Sequence, residues 1–297
     1  MTMENSKKFW LVTTDHLEEG LWFRDEKDFA VGMNHVAIQA ALTPEVIVVA
    51  FILMSNHVHF VLYGTEEDVL AFVNALKSRY SQYLFRKYGL NEQPRRNGVQ
   101  VKEIPVDEKD ALKRAVAYVQ MNCVAARICS HPSQYPWGTG NVFFNVAGTV
   151  GARPVASLSH RARERMFHSV FTDLPGKWQV SEAGYVLPQS YVAVGYVEKM
   201  YQSPGQMNYF LNTSSKVRKR LEQGEDALPS FKDQVILKAL PDLCQSLFQE
   251  PDFKRLKASD QTEVLRQVRY RFSANVNQVA RVCGISYAEA VRMLDGE

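Results

Sequence analysis

The first half of the chain is best understood from one segment, which reads Met54-Ser55-Asn56-His57-Val58-His59-Phe60-Val61-Leu62. From His57 onward, the alternation of side chains is typical of a β-strand whose two faces differ. His57 and His59 therefore point to one face of this strand, while the residues between and after them supply the apolar face. Two imidazoles one residue apart are a common metal-binding arrangement, although a solvated strand face explains a bare His-x-His pattern equally well.

The periodicity on either side of this segment predicts the other elements of the first half. Strands are expected at residues 9–14, 46–54 and 57–63 and near residue 99, and helices at residues 25–41, 66–88 and 108–127. The order strand, helix, strand, strand, helix, strand is that of a split βαβ, ferredoxin-like unit, here with one helix appended. The predicted class is α+β, with this unit spanning residues 1–150.

The helix predicted at residues 108–127 carries the second group of candidate site residues. Tyr118 lies beside its apolar stripe, and Asn122 follows four residues later on the same face. If both side chains reach the two histidines, the amide oxygen completes a mixed nitrogen and oxygen site suited to Mg²⁺ or Mn²⁺. A phenol is inert at neutral pH unless its anion or the phosphate that it attacks is stabilised. Considered alone, Tyr118 is more typical of a tyrosine at the edge of a core.

Three segments, in this order, resemble the single-tyrosine HUH transposases and, among them, the REP-associated tyrosine transposases. They are His57-Val58-His59, Tyr118-Val119-Gln120-Met121-Asn122 and Pro132-Ser133-Gln134-Tyr135-Pro136-Trp137. The resemblance implies metal-dependent cleavage of single-stranded DNA near palindromic hairpins, with Mg²⁺ or Mn²⁺ held by the two histidines and Asn122. It also implies a covalent 5′-phosphotyrosine on Tyr118, and rejoining of strands by reversal of the same step.

Basic residues are concentrated in one part of the chain. The net charge of +3 is too small to indicate nucleic-acid binding, but residues 77–102 contain seven basic side chains and one acidic side chain. Cations follow phosphates, and the interleaved aromatic rings are able to stack on unpaired bases. The predicted DNA contacts in this region are Lys77, Arg79, Arg86, Lys87, Arg95 and Arg96.

The second half divides into two parts. Residues 151–228 are punctuated by proline and glycine, which predicts an irregular connector or small subdomain that ends in a linker at residues 223–229. Residues 229–297 are predicted to be helical, and two short helices joined at Gly284 resemble a helix-turn-helix; a plain helical hairpin is the alternative. If this part binds DNA, the candidate contacts are Arg269, Arg271, Tyr287 and Arg292.

Two broad classes of protein are disfavoured by composition. The longest apolar stretch, residues 46–54, is too short to cross a bilayer, and no signal-type apolar run follows the first lysines, so a cytoplasmic protein without a membrane partner is predicted. The four cysteines have neither disulfide-framework nor zinc-site spacing. A monomer and a homodimer both stay open.

Three alternative functions compete with a DNA transposase. The first is a domesticated regulator that binds DNA hairpins without cutting them. The second is a metal-dependent hydrolase in which the histidine pair activates water and no covalent protein–DNA species forms. The third is an RNA-binding ferredoxin-like sheet, which the sequence disfavours because it has no paired aromatic motif of the kind that such sheets use.

Overall fold

A four-stranded antiparallel sheet forms the centre of the first half of the chain. The computed structural model describes residues 6–14, 21–89, 98–126, 128–145, 150–214, 233–272, 274 and 276–295. The strands are β1 (Lys8–Thr14), β2 (Ile47–Met54), β3 (His57–Gly64) and β4 (Val99–Ile104), in the spatial order β2-β3-β1-β4. Every neighbouring pair is antiparallel. This is the strand order of a split βαβ unit, so the predicted topology is confirmed.

Two helices cover one face of this sheet, and local sequence signals set their limits. Helix α1 (Glu26–Leu42) begins after Asp25, whose carboxylate accepts a hydrogen bond from the backbone N–H of Asp28. Helix α2 (Glu66–Tyr88) is capped by Thr65 in the same way and ends at Gly89, which has the left-handed φ of 64°. The ring of Phe60 on β3 packs edge-on against Phe72 of α2, with 6.0 Å between ring centroids.

The opposite face of the sheet is covered by α3 (Ala111–Gln120), which packs on β2, β3 and β4. The prediction of one continuous helix at residues 108–127 is wrong. The helix begins three residues later and is interrupted at Met121, after which α4 (Asn122–Ala125) adds one more turn. The side-chain amide of Asn122 donates to the carbonyls of Tyr118 and Val119, and this competition for helix carbonyls accompanies the interruption.

The segment predicted as an irregular connector contains regular elements that pack on the first unit. A small hairpin pairs β5 (Arg153–Pro154) with β6 (Gln179–Val180). The helices are α5 (His160–Phe167), α6 (Val194–Tyr201) and α7 (Pro204–Asn212). Phe167 lies in one apolar cluster with Ala37 and Ile38 of α1, and the backbone N–H of Ala193 donates to the carbonyl of Val48 on β2. Residues 150–214 therefore pack against the first unit, and the predicted linker at residues 223–229 lies outside the described residues.

The C-terminal part has its own apolar core. Helices α8 (Asp233–Phe248), α9 (Ala258–Phe272), α10 (Val276–Cys283) and α11 (Tyr287–Asp295) surround it. The two short helices predicted at the C-terminus are confirmed, with Gly284 in the turn at φ 66° and the hydroxyl of Ser286 capping α11. Leu21, from the first half of the chain, is buried in this second core. No helix among the described residues is both long and apolar enough to cross a membrane.

Candidate active site

Strand β3 places two histidines on the sheet face that α3 covers. His57 and His59 are 6% and 1% exposed, and their ring centroids lie 4.7 Å apart with the rings nearly perpendicular. Strand β3 lies between β2 and β1, so His59 is paired with residues on both strands, while His57 is paired with Met54 on β2. The convergence of the two imidazoles predicted from strand alternation is therefore present.

Neighbouring oxygen atoms fix the orientation of both rings. Nδ1 of His57 donates to Oδ1 of Asn56 at 2.7 Å, and the hydroxyl of Thr13 lies 2.8 Å from Nδ1 of His59. Thr13 is the β1 residue paired with His59 across the strands. Histidines that ligate metals commonly hold an oxygen atom through their other ring nitrogen. In both residues Nε2 is thus the nitrogen that would face a metal ion.

Tyr118 on α3 joins the histidine pair. Its ring packs edge-on against His59, with 5.7 Å between centroids. The side chain is half-buried, and this burial raises the pKa of the phenol above its ordinary value. Tyr80 and Tyr135, two other tyrosines of the first unit, are buried and donate from their hydroxyl groups to the carbonyls of Trp22 and Leu53. Among these three tyrosines, Tyr118 is the one whose ring contacts the histidines.

Asn122 adjoins Tyr118 at the start of α4. The side chain is 4% exposed, and Nδ2 donates to the carbonyl oxygens of Tyr118 and Val119 at 2.9 and 3.2 Å. These bonds turn the nitrogen end of the amide toward its own helix. Oδ1 is therefore the atom of Asn122 that would act as a ligand.

The donor set fits a divalent cation of the Mg²⁺ or Mn²⁺ class. Two imidazole nitrogens and one amide oxygen give a mixed set, and a fourth protein ligand is not required because water and phosphate oxygens complete such sites. Within the described ranges, no group of three or more His, Cys, Asp or Glu side chains is arranged to hold a metal ion. A cation held by His57 and His59 would thus need the amide oxygen of Asn122 as its third protein ligand.

The basic residues predicted on α2 differ in their access to solvent. Lys77 is 3% exposed, and Arg79 donates to the side chain of Gln39 at 2.8 Å. Lys87 forms short ion pairs with Asp25 and with the buried Asp28. The interpretation of Lys77 as a DNA contact is corrected, since its side chain lies in the interior. Arg86 is exposed, and Arg95 and Arg96 lie outside the described residues.

The basic residues predicted on the C-terminal helices also separate into two groups. Tyr287 and Arg292 on α11 are exposed, and Arg269 on α9 is half-exposed. Arg271 is 2% exposed, so its interpretation as a phosphate contact is corrected as well. A groove of about 360 Å³ separates the C-terminal helices from the first unit; its lining includes Ile128, Pro136, Trp137, Arg266, Arg269 and Leu294.

Asn56 and Thr13, whose side chains hold the two imidazole rings, were not identified from the sequence. Asn56 adjoins His57 and carries a polar side chain, so its position was a usable signal. Thr13 is 46 residues from His59, and the strand register that joins them has no signal in the sequence alone.

Comparison with known families gave one match. Residues 23–100 match the family described as "Transposase IS200 like". The matched segment contains His57 and His59 but ends before Tyr118 and Asn122. Neither the curated proteins nor the solved structures gave a match. The family match supports a relationship of this part of the chain to the IS200-like transposases.

Proposed function

We propose that this chain cleaves and rejoins single-stranded, hairpin-forming DNA, with Tyr118 as the nucleophile. The observation that carries the proposal is the contact of the Tyr118 ring with His59, which itself packs against His57. The transposase match over residues 23–100, which includes both histidines, supports the same class of reaction.

The proposed reaction exchanges one phosphodiester bond for another. The Tyr118 oxygen attacks a backbone phosphorus atom, a 5′-phosphotyrosine bond forms, and the bond to the 3′-oxygen breaks. Tyr118 loses a proton and the 3′-hydroxyl gains one, so neither an oxidant nor a nucleotide cofactor is consumed. Attack by a 3′-hydroxyl on the phosphotyrosine reverses the step and rejoins a strand. Positioning of the strand in line with Tyr118 is the main task of the protein.

Metal binding falls to His57, His59 and Asn122 in this proposal. A bound Mg²⁺ or Mn²⁺ would supply polarisation of the phosphate oxygens. A tyrosine phenol is protonated at neutral pH, and burial raises the pKa of Tyr118 further, so its proton must leave as the phosphate is attacked. The hydroxyl of Thr13 and the amide oxygen of Asn56 hold the two imidazoles in one orientation before DNA arrives.

The groove beside the C-terminal helices is the proposed path of the DNA strand. Arg266 and Arg269 of α9 supply positive charge for phosphates, against Glu26 as the single acidic residue of the described lining, and the first unit contributes Pro136 and Trp137 to the lining. Tyr287 and Arg292 are exposed on α11, whose Leu294 lines the groove, and Arg86 offers a separate cation at the end of α2. The proposed partner is accordingly single-stranded DNA with palindromic hairpins.

The test is the formation of a covalent protein–DNA species. End-labelled single-stranded hairpins are incubated with the full chain and Mn²⁺ or Mg²⁺, and the products are separated by denaturing electrophoresis. We expect a labelled band at the size of the protein with wild type and none with Tyr118→Phe, because a benzene ring has no attacking oxygen. Tyr209→Phe, which changes an exposed tyrosine on α7, is the matched control and should form the adduct normally.

Each of the other outcomes would indicate a different function or a different nucleophile. Cleavage without an adduct would indicate a hydrolase in which water attacks the phosphate. Tight hairpin binding without cleavage under any metal condition would indicate the regulator. An adduct that persists in Tyr118→Phe would move the nucleophile to another tyrosine.

A further inference from the structure

The C-terminal helices make a polar contact with the turn that precedes the histidine strand. The hydroxyl of Ser55, in the β2–β3 turn, donates to the backbone carbonyl of Arg271 on α9. These residues are 216 positions apart. Ser55 is immediately followed by Asn56, which orients His57. The last turn of α9 therefore lies directly behind the metal-binding strand.

The side chain of Arg271 reinforces this contact from within the protein. Its guanidinium donates through one terminal nitrogen to the carbonyl of Arg24 at 2.9 Å and through Nε to the side chain of Gln267 at 2.9 Å. An arginine that is 2% exposed is costly to desolvate, so its hydrogen bonds must be retained for the fold to be stable.

A third set of bonds closes the connection between Arg24 and the turn. The backbone N–H groups of Trp22 and Phe23 both donate to the carbonyl of Ser55, at 2.8 and 3.1 Å. The side chain of Arg271 thus binds the segment at residues 22–24, and its backbone carbonyl binds the hydroxyl of Ser55. The same segment binds the backbone carbonyl of Ser55. Arg271 therefore holds the turn directly, through the hydroxyl of Ser55, and indirectly, through the segment at residues 22–24 that binds the Ser55 carbonyl.

We propose that Arg271 is a positioning residue that sets the orientation of His57 through Ser55 and Asn56. The inference rests on the proposed function, because it assigns to the C-terminal helices a part in building the metal site. Arg269, which lines the groove, lies two residues before Arg271 on the same helix. The surface proposed to hold DNA and the support of the metal site are therefore parts of one rigid element.

The test compares Arg271→Met and Ser55→Ala in the full chain. We expect both variants to bind Mn²⁺ about tenfold or more weakly by calorimetry, as is found when groups that orient a ligating histidine are removed. Cleavage should recover in part at higher Mn²⁺. Arg271→Lys keeps a positively charged hydrogen-bond donor, so its Mn²⁺ affinity should lie between those of wild type and Arg271→Met. Arg255→Met, which changes an exposed arginine of the C-terminal part, should bind Mn²⁺ as wild type does.

A readout without metal or DNA separates this inference from the proposed function. In chains with ¹⁵N-labelled histidines, the ring signals of His57 should move in Arg271→Met and Ser55→Ala and stay in place in Arg255→Met. Unchanged His57 signals and Mn²⁺ affinity in folded Ser55→Ala would overturn the inference, even if Arg271→Met fails to fold. Absence of the phosphotyrosine in wild type would overturn the proposed function. The His57 signals would still decide whether Arg271 positions His57.

Discussion

Two side chains determine which nitrogen each histidine presents at the site. Asn56 holds Nδ1 of His57, and Thr13 holds Nδ1 of His59. A ligating histidine whose other nitrogen is held keeps one tautomer and one ring plane, and both raise metal affinity. Thr13 is the better test of this role, because it is far from His59 in the sequence. The pairing of β1 with β3 brings its hydroxyl to the ring.

Replacement of Thr13 by valine should weaken the metal site without disturbing the sheet. Valine has nearly the same shape but lacks the hydroxyl, so we expect Mn²⁺ affinity to fall about 10- to 100-fold, while the circular dichroism spectrum stays unchanged. Thr213→Val, at an exposed threonine after α7, is the matched control. Equal Mn²⁺ affinity in the Thr13 and Thr213 variants, measured by calorimetry, would show that the hydroxyl does not orient His59.

Local sequence patterns indicated the residues of the proposed site better than the side chains that hold them. Strand alternation placed His57 and His59 together, and four-residue helical spacing placed Tyr118 beside Asn122. Lys77 and Arg271 were misinterpreted because a basic residue in an amphipathic helix carries no local mark of burial. Their environment depends on which helix face packs inward and on partners far away in the chain.

At the scale of elements, local sequence signals predicted the limits of α1 and α2, the two helices on one face of the sheet. The caps at Asp25 and Thr65 and the left-handed Gly89 define α1 and α2 within about one residue of the expected limits. The interruption at Met121 was not predictable, because it coincides with hydrogen bonds that the Asn122 side chain makes in the folded helix. The elements at residues 150–214 were also missed, since they are short and are held by contacts with α1 and β2.

Helix α1 carries a buried histidine that makes stability depend on pH. Nε2 of His35 donates to the carbonyl of Phe167 at 3.0 Å, which ties α1 to α5. Burial, and then the charge of Arg79, lowers the pKa of His35 to about 3. The unfolded chain takes up a proton near pH 6.5, whereas the folded chain does not. The contribution of His35 to stability is therefore complete above pH 6.5 and decreases as pH falls toward 3.

The expected result is a smaller loss of stability on acidification in His35→Gln. Between pH 7 and pH 5, the free energy of unfolding of wild type should fall by about 2 kcal/mol more than that of the variant. Urea unfolding at the two pH values measures the difference. His160→Gln, at an exposed histidine of α5, should behave as wild type does. Identical losses in wild type and His35→Gln would mean that His35 gains its proton in the folded state.

At the scale of the whole molecule, the two cores are joined by a small number of specific contacts. Leu21 enters the C-terminal core, Arg24 pairs with Asp242 on α8 at 3.3 Å, and Arg271 holds the carbonyl of Arg24. No local pattern predicts this docking, because its residues lie more than 200 positions apart. Arg269 lines the groove, and Arg292 lies exposed on α11, whose Leu294 lines the same groove.

The last prediction concerns Arg269 and Arg292, two basic residues of the C-terminal helices that are accessible to solvent. Arg269→Gln/Arg292→Gln should weaken binding of a single-stranded hairpin and make binding less sensitive to salt. Each lost phosphate contact removes about 0.7 from the slope of log affinity against log salt, so the double variant should lose about 1.4. Fluorescence anisotropy at several salt concentrations measures the slope, in a Tyr118→Phe background that prevents cleavage. Arg161→Gln/Arg165→Gln, which removes two exposed arginines from α5, is matched in charge and should leave the slope unchanged. If both pairs lower the slope equally, the effect comes from net charge, and DNA does not follow the groove.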